Sequence, residues 1–315
     1  MKHILTPLAL TLIAAPALAQ DKMTVMLDWF INPDHGPIIL AEEKGYFTDA
    51  GLEVELISPA DPNDPPRMVA AGRVDLAVSY QPELHLAQRE GLDLRRVGTL
   101  VETPLTCLVV RANGPVKEMA DLKGRKVGFA VAGVQEMLLD AMLNHHGVAP
   151  SEVEQINIGW SISPALMSGQ VDGVIGAFRN FELNQMQIEG HEGRCFYPEA
   201  EGVPAYDELI YVAHAEDMDR EMIARFLRAT ERAAADIVND PAASGETFFA
   251  SDAELRNELN TRAWEDTWPR FATRPAAVDH GRYDRFEAFM QESGVVETTI
   301  PAADLVVDVT AQAKP

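Results

Sequence analysis

The chain has 315 residues, of which 47% are hydrophobic, and a formal net charge of −23 at pH 7. That length is enough for one large or two medium domains with a substantial core. The acidic excess argues against nucleic acid or an anionic membrane surface as a partner. An anionic small ligand stays open, because a local cleft can carry a charge opposite to that of the whole protein.

The first 19 residues have the pattern of a secretory signal peptide. Lys2 begins a polar start, residues 4–15 are apolar, and Ala17-Leu18-Ala19 is a small-x-small cleavage site. The apolar stretch is too short to span a membrane as a helix, and no cysteine follows the predicted cleavage after Ala19 to carry a lipid. The sequence therefore predicts an exported protein that is not lipid-anchored.

Strands and helices alternate along the mature chain. Hydrophobic patterning predicts strands over residues 23–27, 52–57, 97–101 and 106–110. It also predicts a helix over residues 36–44, with Pro37 in its first turn and Gly45 as the stop signal after it. The pattern then restarts, with strands over 127–130, 153–158 and 209–213 and helices over 135–145 and 222–238. Such alternation is typical of an α/β fold with mostly parallel sheets flanked by helices.

One short phrase occurs twice, 97 positions apart. Residues 71–80 read AGRVDLAVSY and residues 168–177 read SGQVDGVIGA, so that Gly72 and Asp75 correspond to Gly169 and Asp172. Each copy predicts a helix end, a glycine turn and a buried strand. The alternative to an internal repeat is a chance similarity between two common helix-turn-strand segments. On the repeat reading, Glu83 and Asn180 occupy equivalent positions after the two strands.

The repeat suggests two lobes that face each other across a cleft. We expect residues 20–108 plus 210–315 to form one lobe and residues 109–209 an inserted second lobe, with two crossovers as the hinge. Polar residues at the carboxyl ends of the buried strands would then line the cleft, as in other open α/β sheets. Cys107 and Cys195 are expected to be buried free thiols. A bridge between them is the alternative, because the chain changes lobe near both.

The first candidate site residues follow the first strand. Trp29, Asn32 and His35 combine stacking with directional hydrogen bonding, which a planar heteroaromatic ligand requires. The alternative is a core aromatic at Trp29 followed by an Asn32-Pro33 turn. Tyr80, after the first copy of the phrase, is a second stacking candidate, whereas Glu83 is either a site residue or the start of a solvated helix.

Residues after the second copy are candidates for hydrogen bonding to the polar edge of a ligand. Glu182 can accept from an exocyclic amine and, if it is protonated or faces a protonated ring nitrogen, satisfy the neighbouring position too. A surface helix carboxylate is the alternative for Glu182. Arg179 in the cleft would instead suit a sulfonate, carboxylate or phosphate. The amide of Gly133, before a helix, is a further candidate for a ligand oxygen.

Signatures of catalysis are missing from the sequence. It contains neither a Gly-x-Ser-x-Gly elbow nor a phosphate-binding loop nor a His-Glu-x-x-His helix. His145 and His146 stand at a predicted helix end, where capping is the more common role than metal ligation. We therefore expect a binding protein with no catalytic residue, cofactor or metal.

The chain resembles the periplasmic pyrimidine-precursor binding proteins of thiamine salvage. The resemblance covers nearly the whole mature chain and is carried by Leu27-Asp28-Trp29, Asn32, His35, Glu43-Lys44-Gly45-Tyr46-Phe47, Gly51-Leu52, Ser79-Tyr80-Gln81-Pro82-Glu83 and Arg179-Asn180-Phe181-Glu182. It implies a type II periplasmic binding fold whose hinge closes over a hydroxymethyl- or formylaminopyrimidine. By the same analogy Asn180 reads the polar edge of the ring with Glu182, and Tyr206 is a site residue.

The resemblance also implies the partners: a membrane permease with a cytoplasmic ATPase, served by a monomer in the periplasm. Relatives that bind sulfonates, nitrate or a riboflavin-type ring share the fold, so these ligands are the alternatives. The superfamily also contains the eukaryotic pyrimidine synthase, which needs a pyridoxal-phosphate lysine, a histidine and a cysteine-rich run. Here Ser79 and Glu83 stand at the first two positions, and residues 207–213 hold no cysteine, so the enzyme reading is disfavoured.

Overall fold

A computed structural model describes residues 20–311 of the chain. The predicted signal peptide lies outside these residues. The strands are β1 (Asp21–Met26), β2 (Leu52–Ile57), β3 (Leu76–Ser79), β4 (Leu94–Val101), β5 (Thr106–Arg111), β6 (Lys126–Phe129), β7 (Glu154–Asn157), β8 (Gly173–Phe178), β9 (Gly193–Phe196) and β10 (Leu209–His214). The helices are α1 (Gly36–Glu43), α2 (Tyr46–Asp49), α3 (Pro65–Ala70), α4 (Gln81–Arg89), α5 (Val134–His145), α6 (Ile162–Ser168), α7 (Glu182–Ile188), α8 (Arg220–Asn239), α9 (Pro241–Ser251), α10 (Glu258–Thr267) and α11 (His280–Glu292).

The strands form two five-stranded sheets with the same topology. The first has the order β2-β1-β3-β10-β4 and the second the order β7-β6-β8-β5-β9. In each sheet one strand, β10 or β5, is antiparallel to both of its neighbours, and the other four run in one direction. The expectation of two mostly parallel α/β sheets flanked by helices is confirmed.

The chain passes between the sheets twice, through residues 102–105 and 197–208. The predicted lobe boundary after Leu108 falls inside β5, because that whole strand pairs with β8 and β9. We refer below to the parts built around the two sheets as the first and second lobes. The carboxy-terminal helices belong with the first sheet, since α8 and α9 pack on α1.

Both faces of each sheet are buried. Along β1, Met23 and Val25 pack in one apolar cluster while Met26 faces another, as the period-two alternation of a strand requires. In the second sheet Val109 and Leu108 are divided in the same way. Trp264 is fully buried on α10. Among the helices of residues 20–311, none combines the length and apolar content of a membrane span.

The repeated phrase forms the same structural unit in both lobes. Gly72 and Gly169 each adopt a positive φ (63° and 79°) at the helix-to-strand turn, a conformation that favours glycine. The Asp75 carboxylate accepts from the Thr24 amide beside β1 (2.7 Å), and Asp172 accepts from the Lys126 amide beside β6 (3.3 Å). The phrase therefore anchors β3 to β1 and β8 to β6, in each sheet its parallel neighbour.

The expected equivalence of Glu83 with Asn180 is wrong. Strand β8 carries a bulge opposite β5: Ala177 pairs with Cys107 and Ile175 with Leu108, which leaves Gly176 as an extra residue. Glu83 accepts from the Ser79 hydroxyl, and Glu182 accepts from the Phe178 amide, at 2.6 Å in both cases. Because Ser79 and Phe178 end their strands, the structural counterpart of Glu83 is Glu182.

Cys107 and Cys195 form a disulfide that joins the adjacent strands β5 and β9. The expectation of two free thiols is therefore wrong, and the alternative is correct. Sequence patterning does not reveal that β9 returns to pair with β5 at the sheet edge, which is what brings the two side chains together.

Candidate ligand-binding site

A cavity lies between the two lobes, with about 390 Å³ of space that includes its opening to solvent. The first lobe contributes five lining residues from the ends of β1 and β3, and the second contributes six from the helix starts and strand ends that face them. The lining residues are Asp28, Trp29, Asn32, Asp34, Tyr80, Gln135, Ile162, Gly176, Phe178, Phe181 and Glu182. None is lysine, arginine or histidine, so the wall supplies carboxyl groups without a cationic partner.

Asp28 organises the first wall. Its Oδ1 atom lies 2.9 Å from His35 Nε2, and its Oδ2 atom accepts from the Tyr80 hydroxyl at 2.9 Å. His35 Nδ1 accepts from the Asn32 amide, so the ring proton is on Nε2 and is donated to Asp28. Burial, followed by the Asp28 charge, raises the pKa of Tyr80 well above its ordinary value. Tyr80 is thus held as a neutral phenol, with its ring fixed against the cavity.

Asp34 and Asn180 join the lobes beside the cavity. Asn180 Nδ2 donates to Asp34 Oδ1 and lies equally close to Thr267 Oγ1, both at 2.6 Å. The Asn180 Oδ1 atom has no partner among residues 20–311. Burial raises the pKa of Asp34 to about 6, although His35 and the bond from Asn180 lower it. Asn180 therefore acts in this structure as a contact between lobes, and it lies behind the cavity wall.

Glu182 is the buried carboxyl of the second lobe. Only 7% of the residue is exposed, at the start of α7. Burial raises its pKa to about 8; the Phe178 amide opposes this shift and the nearby Asp34 charge adds to it. At pH 7 this side chain is mostly a neutral acid, able both to donate and to accept.

Seven of the eleven lining residues are absent from the predicted site residues, and two of these seven, Gln135 and Gly176, lie against each other in the cavity wall. Gln135 Oε1 accepts from the amides of Ala130 (2.7 Å) and Val131 (3.1 Å), which fixes its side-chain amide beside the cavity. Gly176, with φ of 87°, faces it, and a Cβ there would lie 2.1 Å from Gln135 Nε2. The signals available were a glutamine directly after Gly133-Val134 and a glycine inside an apolar strand.

Aromatic pairs connect the two lobes around the cavity. Trp29 and Trp160 have ring centroids 4.2 Å apart, Phe30 and Phe181 are 6.0 Å apart, and Tyr80 meets Phe178 edge-on at 6.4 Å. Each pair takes one ring from each lobe. These contacts enclose the cavity with faces and edges suited to a flat ring.

The predicted site residues fall into four groups. Trp29, Asn32, Tyr80 and Glu182 line the cavity, and His35 and Asn180 support it from behind. Tyr206 lines a smaller adjoining cavity of about 240 Å³ that shares Tyr80 and Gln135 with the main one. Gly133 is not brought to the cavity, because its amide donates to Glu136 Oε2 at 2.8 Å.

Arg179 lies outside the cavity and is fully engaged. Its guanidinium makes two bonds to Glu199 (2.5 and 3.0 Å) and also donates to the carbonyls of Leu105 and Thr106. It lies over the Tyr197 ring at 4.3 Å. Within residues 20–311 there is also no cluster of three His, Cys, Asp or Glu side chains arranged to hold a metal.

Comparison with solved structures supports the fold. The alkanesulfonate-binding protein SsuA of Xanthomonas axonopodis pv. citri superposes with a TM-score of 0.70 at 16% identity, covering 93% of this chain and 99% of that one. A Candida albicans protein described as having the generic periplasmic binding protein fold gives a TM-score of 0.73 at 13% identity, covering 94% and 99%. The predicted type II periplasmic binding fold is confirmed.

Sequence comparison identifies the family. A Haemophilus influenzae protein named for thiamine biosynthesis is 46% identical over 95% of each chain. The formylaminopyrimidine-binding protein of Halalkalibacterium halodurans is 33% identical over 71% of this chain and 68% of its own length. A Schizosaccharomyces pombe 4-amino-5-hydroxymethyl-2-methylpyrimidine phosphate synthase is 26% identical over 81% and 77%. Residues 32–244 match the family described as NMT1/THI5 like. The resemblance inferred from the sequence is thus confirmed: the chain belongs to the NMT1/THI5-like family.

Proposed function

We propose that this protein is the substrate-binding component of an ABC importer and captures an aminopyrimidine precursor of thiamine. The observation that carries the proposal is the cavity between the lobes, which is lined by aromatic rings and buried carboxyl groups and by no cationic side chain. An aminopyrimidine offers a flat ring, an exocyclic donor and ring-nitrogen acceptors. The 33% identity to a formylaminopyrimidine-binding protein supports the same ligand class.

Glu182 is the proposed reader of the pyrimidine edge. As a neutral acid it would donate to a ring nitrogen while its other oxygen accepts from the exocyclic amine. Gln135, whose Oε1 is held by two backbone amides, would present its NH₂ group to a second ring acceptor or a substituent oxygen. Trp29 and Tyr80 would contact the ring faces, with Asn32 beside them.

The mechanism is closure of two lobes around the ligand. The proposed lobes are the parts built around the two sheets, and the crossovers at residues 102–105 and 197–208 are the hinge. Glu208 ties the crossovers together, because its carboxylate accepts from the amides of Leu105 (2.5 Å) and Thr106 (2.8 Å). Contacts such as Asn180 to Asp34 would hold the closed state, which the permease and its ATPase would recognise. We further propose a monomer delivered to the periplasm by the signal peptide.

An anionic ligand is the second candidate, favoured by the likeness to sulfonate-binding structures. The lining residues count against it. A sulfonate or nitrate would meet the carboxyl groups of Asp28 and Asp34 with no cationic lining residue to offset them. Arg179, the predicted anion ligand, is already paired with Glu199.

Binding is proposed in preference to catalysis. Some relatives are synthases, and the enzyme reading requires a lysine that forms a Schiff base. Ser79 at that position has no amine, and its hydroxyl donates to Glu83 at 2.6 Å. The residues present do not fit a pyridoxal phosphate anchored there.

Calorimetry of the mature protein tests the proposal. Formylaminopyrimidine and 4-amino-5-hydroxymethyl-2-methylpyrimidine should bind, taurine should not, and Glu182→Ala should weaken pyrimidine binding about 100-fold by leaving polar ligand atoms unpaired. Glu189→Gln, an exposed change near the same helix, is the matched control. Unchanged affinity in Glu182→Ala removes this residue from the site, and tight taurine binding without pyrimidine binding refutes the ligand class.

A further inference from the structure

A second, larger groove adjoins the cavity. About 1,250 Å³ of open space lies between the lobes, and the groove shares four lining residues with the cavity: Trp29, Ile162, Phe181 and Glu182. Trp29 belongs to the first lobe, and Ile162 and Phe181 belong to the second. The shared wall is therefore composed of opposing lobes, and a ligand already in place as they close can extend through it.

The groove is aromatic and acidic. Phe30 and Trp160, which are 45% and 41% exposed, stand at its edge, and Trp160 packs against Trp29. Asp252 and Glu254 line the first-lobe side, and Glu182 faces both spaces. The 17 lining residues include no lysine, arginine or histidine. Indole rings and carboxylates in one groove are what a positively charged aromatic group requires.

A buried hydroxyl in the groove wall has no hydrogen-bond partner among the described residues. Ser163, on α6, is only 2% exposed, and its Oγ atom has no hydrogen-bond partner among residues 20–311. Because a buried hydroxyl without a partner is costly, rotation of the Ser163 side chain toward a polar group bound in the groove would supply the partner that Oγ lacks. It is an observation independent of the aromatic and acidic lining.

From these features we infer that the outer groove binds a positively charged aromatic substituent attached to the pyrimidine. The inference rests on the proposed function, since the pyrimidine itself occupies the inner cavity. The ligand class is then an aminopyrimidine linked through a short methylene bridge to a cationic ring. Trp160 and Phe30 contact the ring face, the carboxylates offset its charge, and Ser163 bonds its polar tail.

Titration calorimetry with two probes tests this site. One is 4-amino-5-hydroxymethyl-2-methylpyrimidine, and the other is thiamine, which carries the same ring joined to a thiazolium cation. Wild-type protein should bind thiamine about tenfold more tightly than the bare pyrimidine. Trp160→Ala should remove most of that gain, so that the ratio between the thiamine and bare-pyrimidine affinities falls from about tenfold to about twofold, whatever the variant does to both affinities together. Glu254→Gln, a change at an exposed position, should reduce the gain and its dependence on salt.

Val238→Ala, which trims an exposed apolar side chain on α8, is the control. If the bare pyrimidine binds but thiamine binds no better, the inference is overturned while the proposed function stands. The same holds if Trp160→Ala weakens both ligands equally. If neither ligand binds, the proposed function fails, and the inference fails with it. If thiamine binds more tightly and both groove variants leave the gain intact, the cation lies elsewhere and the groove assignment is wrong.

Discussion

Replacing Glu182 by glutamine is expected to stabilise the ligand-free protein in alkaline solution. In the folded protein, burial raises the pKa of this side chain from 4.5 to about 8. Between these values the folded state keeps a proton that the unfolded chain has lost. Raising the pH through this window therefore lowers the free energy of unfolding. Glutamine keeps a neutral side chain of the same shape and can still accept from the Phe178 amide.

The shift gives the size of the effect. At pH 8 the cost of burying the ionisable group is on the order of 4 kcal/mol, and at pH 5 it is on the order of 1 kcal/mol. Glu182→Gln should therefore raise the melting temperature at pH 8 by roughly 10 °C and at pH 5 by only a few degrees. Asp34, Glu83 and Glu208 also have pKa values raised by burial, to about 6, 7 and 7. They remain in both proteins, so the difference between wild type and variant isolates Glu182.

Thermal denaturation of the ligand-free protein at pH 5, 6, 7 and 8 measures this difference. Glu189→Gln, an exposed carboxylate removed from the same region, is the control and should show no pH-dependent gain. A stability difference between Glu182→Gln and wild type that is constant across the pH series would show that burial does not raise the pKa of Glu182. So would a variant that is less stable than wild type at pH 8.

The remaining predictions concern binding and the covalent framework. Wild-type affinity for the pyrimidine should fall about tenfold from pH 7 to pH 9 as Glu182 loses its proton. Glu182→Gln should keep its affinity across that range, and calorimetry at both pH values measures the difference. Asn180→Ala should speed pyrimidine release about tenfold by removing the Asp34 contact between lobes. Stopped-flow fluorescence measures the release rate, with Asn239→Ala as the control, and equal rates for the two variants would contradict this role. Arg179→Ala should cost about 2 kcal/mol of stability by breaking the Glu199 pair yet leave pyrimidine affinity within about threefold, and a large loss of affinity would place Arg179 at the ligand. Replacing Cys107 and Cys195 by alanine should lower the unfolding free energy by about 2–4 kcal/mol through the 88-residue separation they bridge, and equal urea midpoints for the two proteins would contradict this.

Much of the fold can be predicted from local sequence patterns. The strand of residues 52–57 and the helix that begins at Gly36 match the structure at those bounds, because apolar periodicity and glycine or proline punctuation mark them. The phrase around Gly72 and Gly169 indicates the two matching sheets, since a positive φ before a buried strand selects glycine. Strand pairing over long separations has no such local mark, which is why the bridge between Cys107 and Cys195 could not be chosen over free thiols.

The site was predictable where polar or aromatic side chains follow a strand. Trp29, Tyr80 and Glu182 follow the ends of β1, β3 and β8 in the chain and line the cavity. Asn180 and His35 have the same sequence context, but their bonding partners lie far away in the chain or in a turn, so they support the wall from behind. The engagement of Arg179 with Glu199 depends on how the second crossover folds back, which the local sequence does not encode.

The central claim is that the cavity between the lobes recognises a thiamine-type aminopyrimidine and not an anion. A paired calorimetric titration of the mature protein with 4-amino-5-hydroxymethyl-2-methylpyrimidine and with taurine tests it most directly. We predict tight, saturable binding of the pyrimidine with one site per chain and no heat of binding for taurine. Tight binding of taurine with none for the pyrimidine would contradict it.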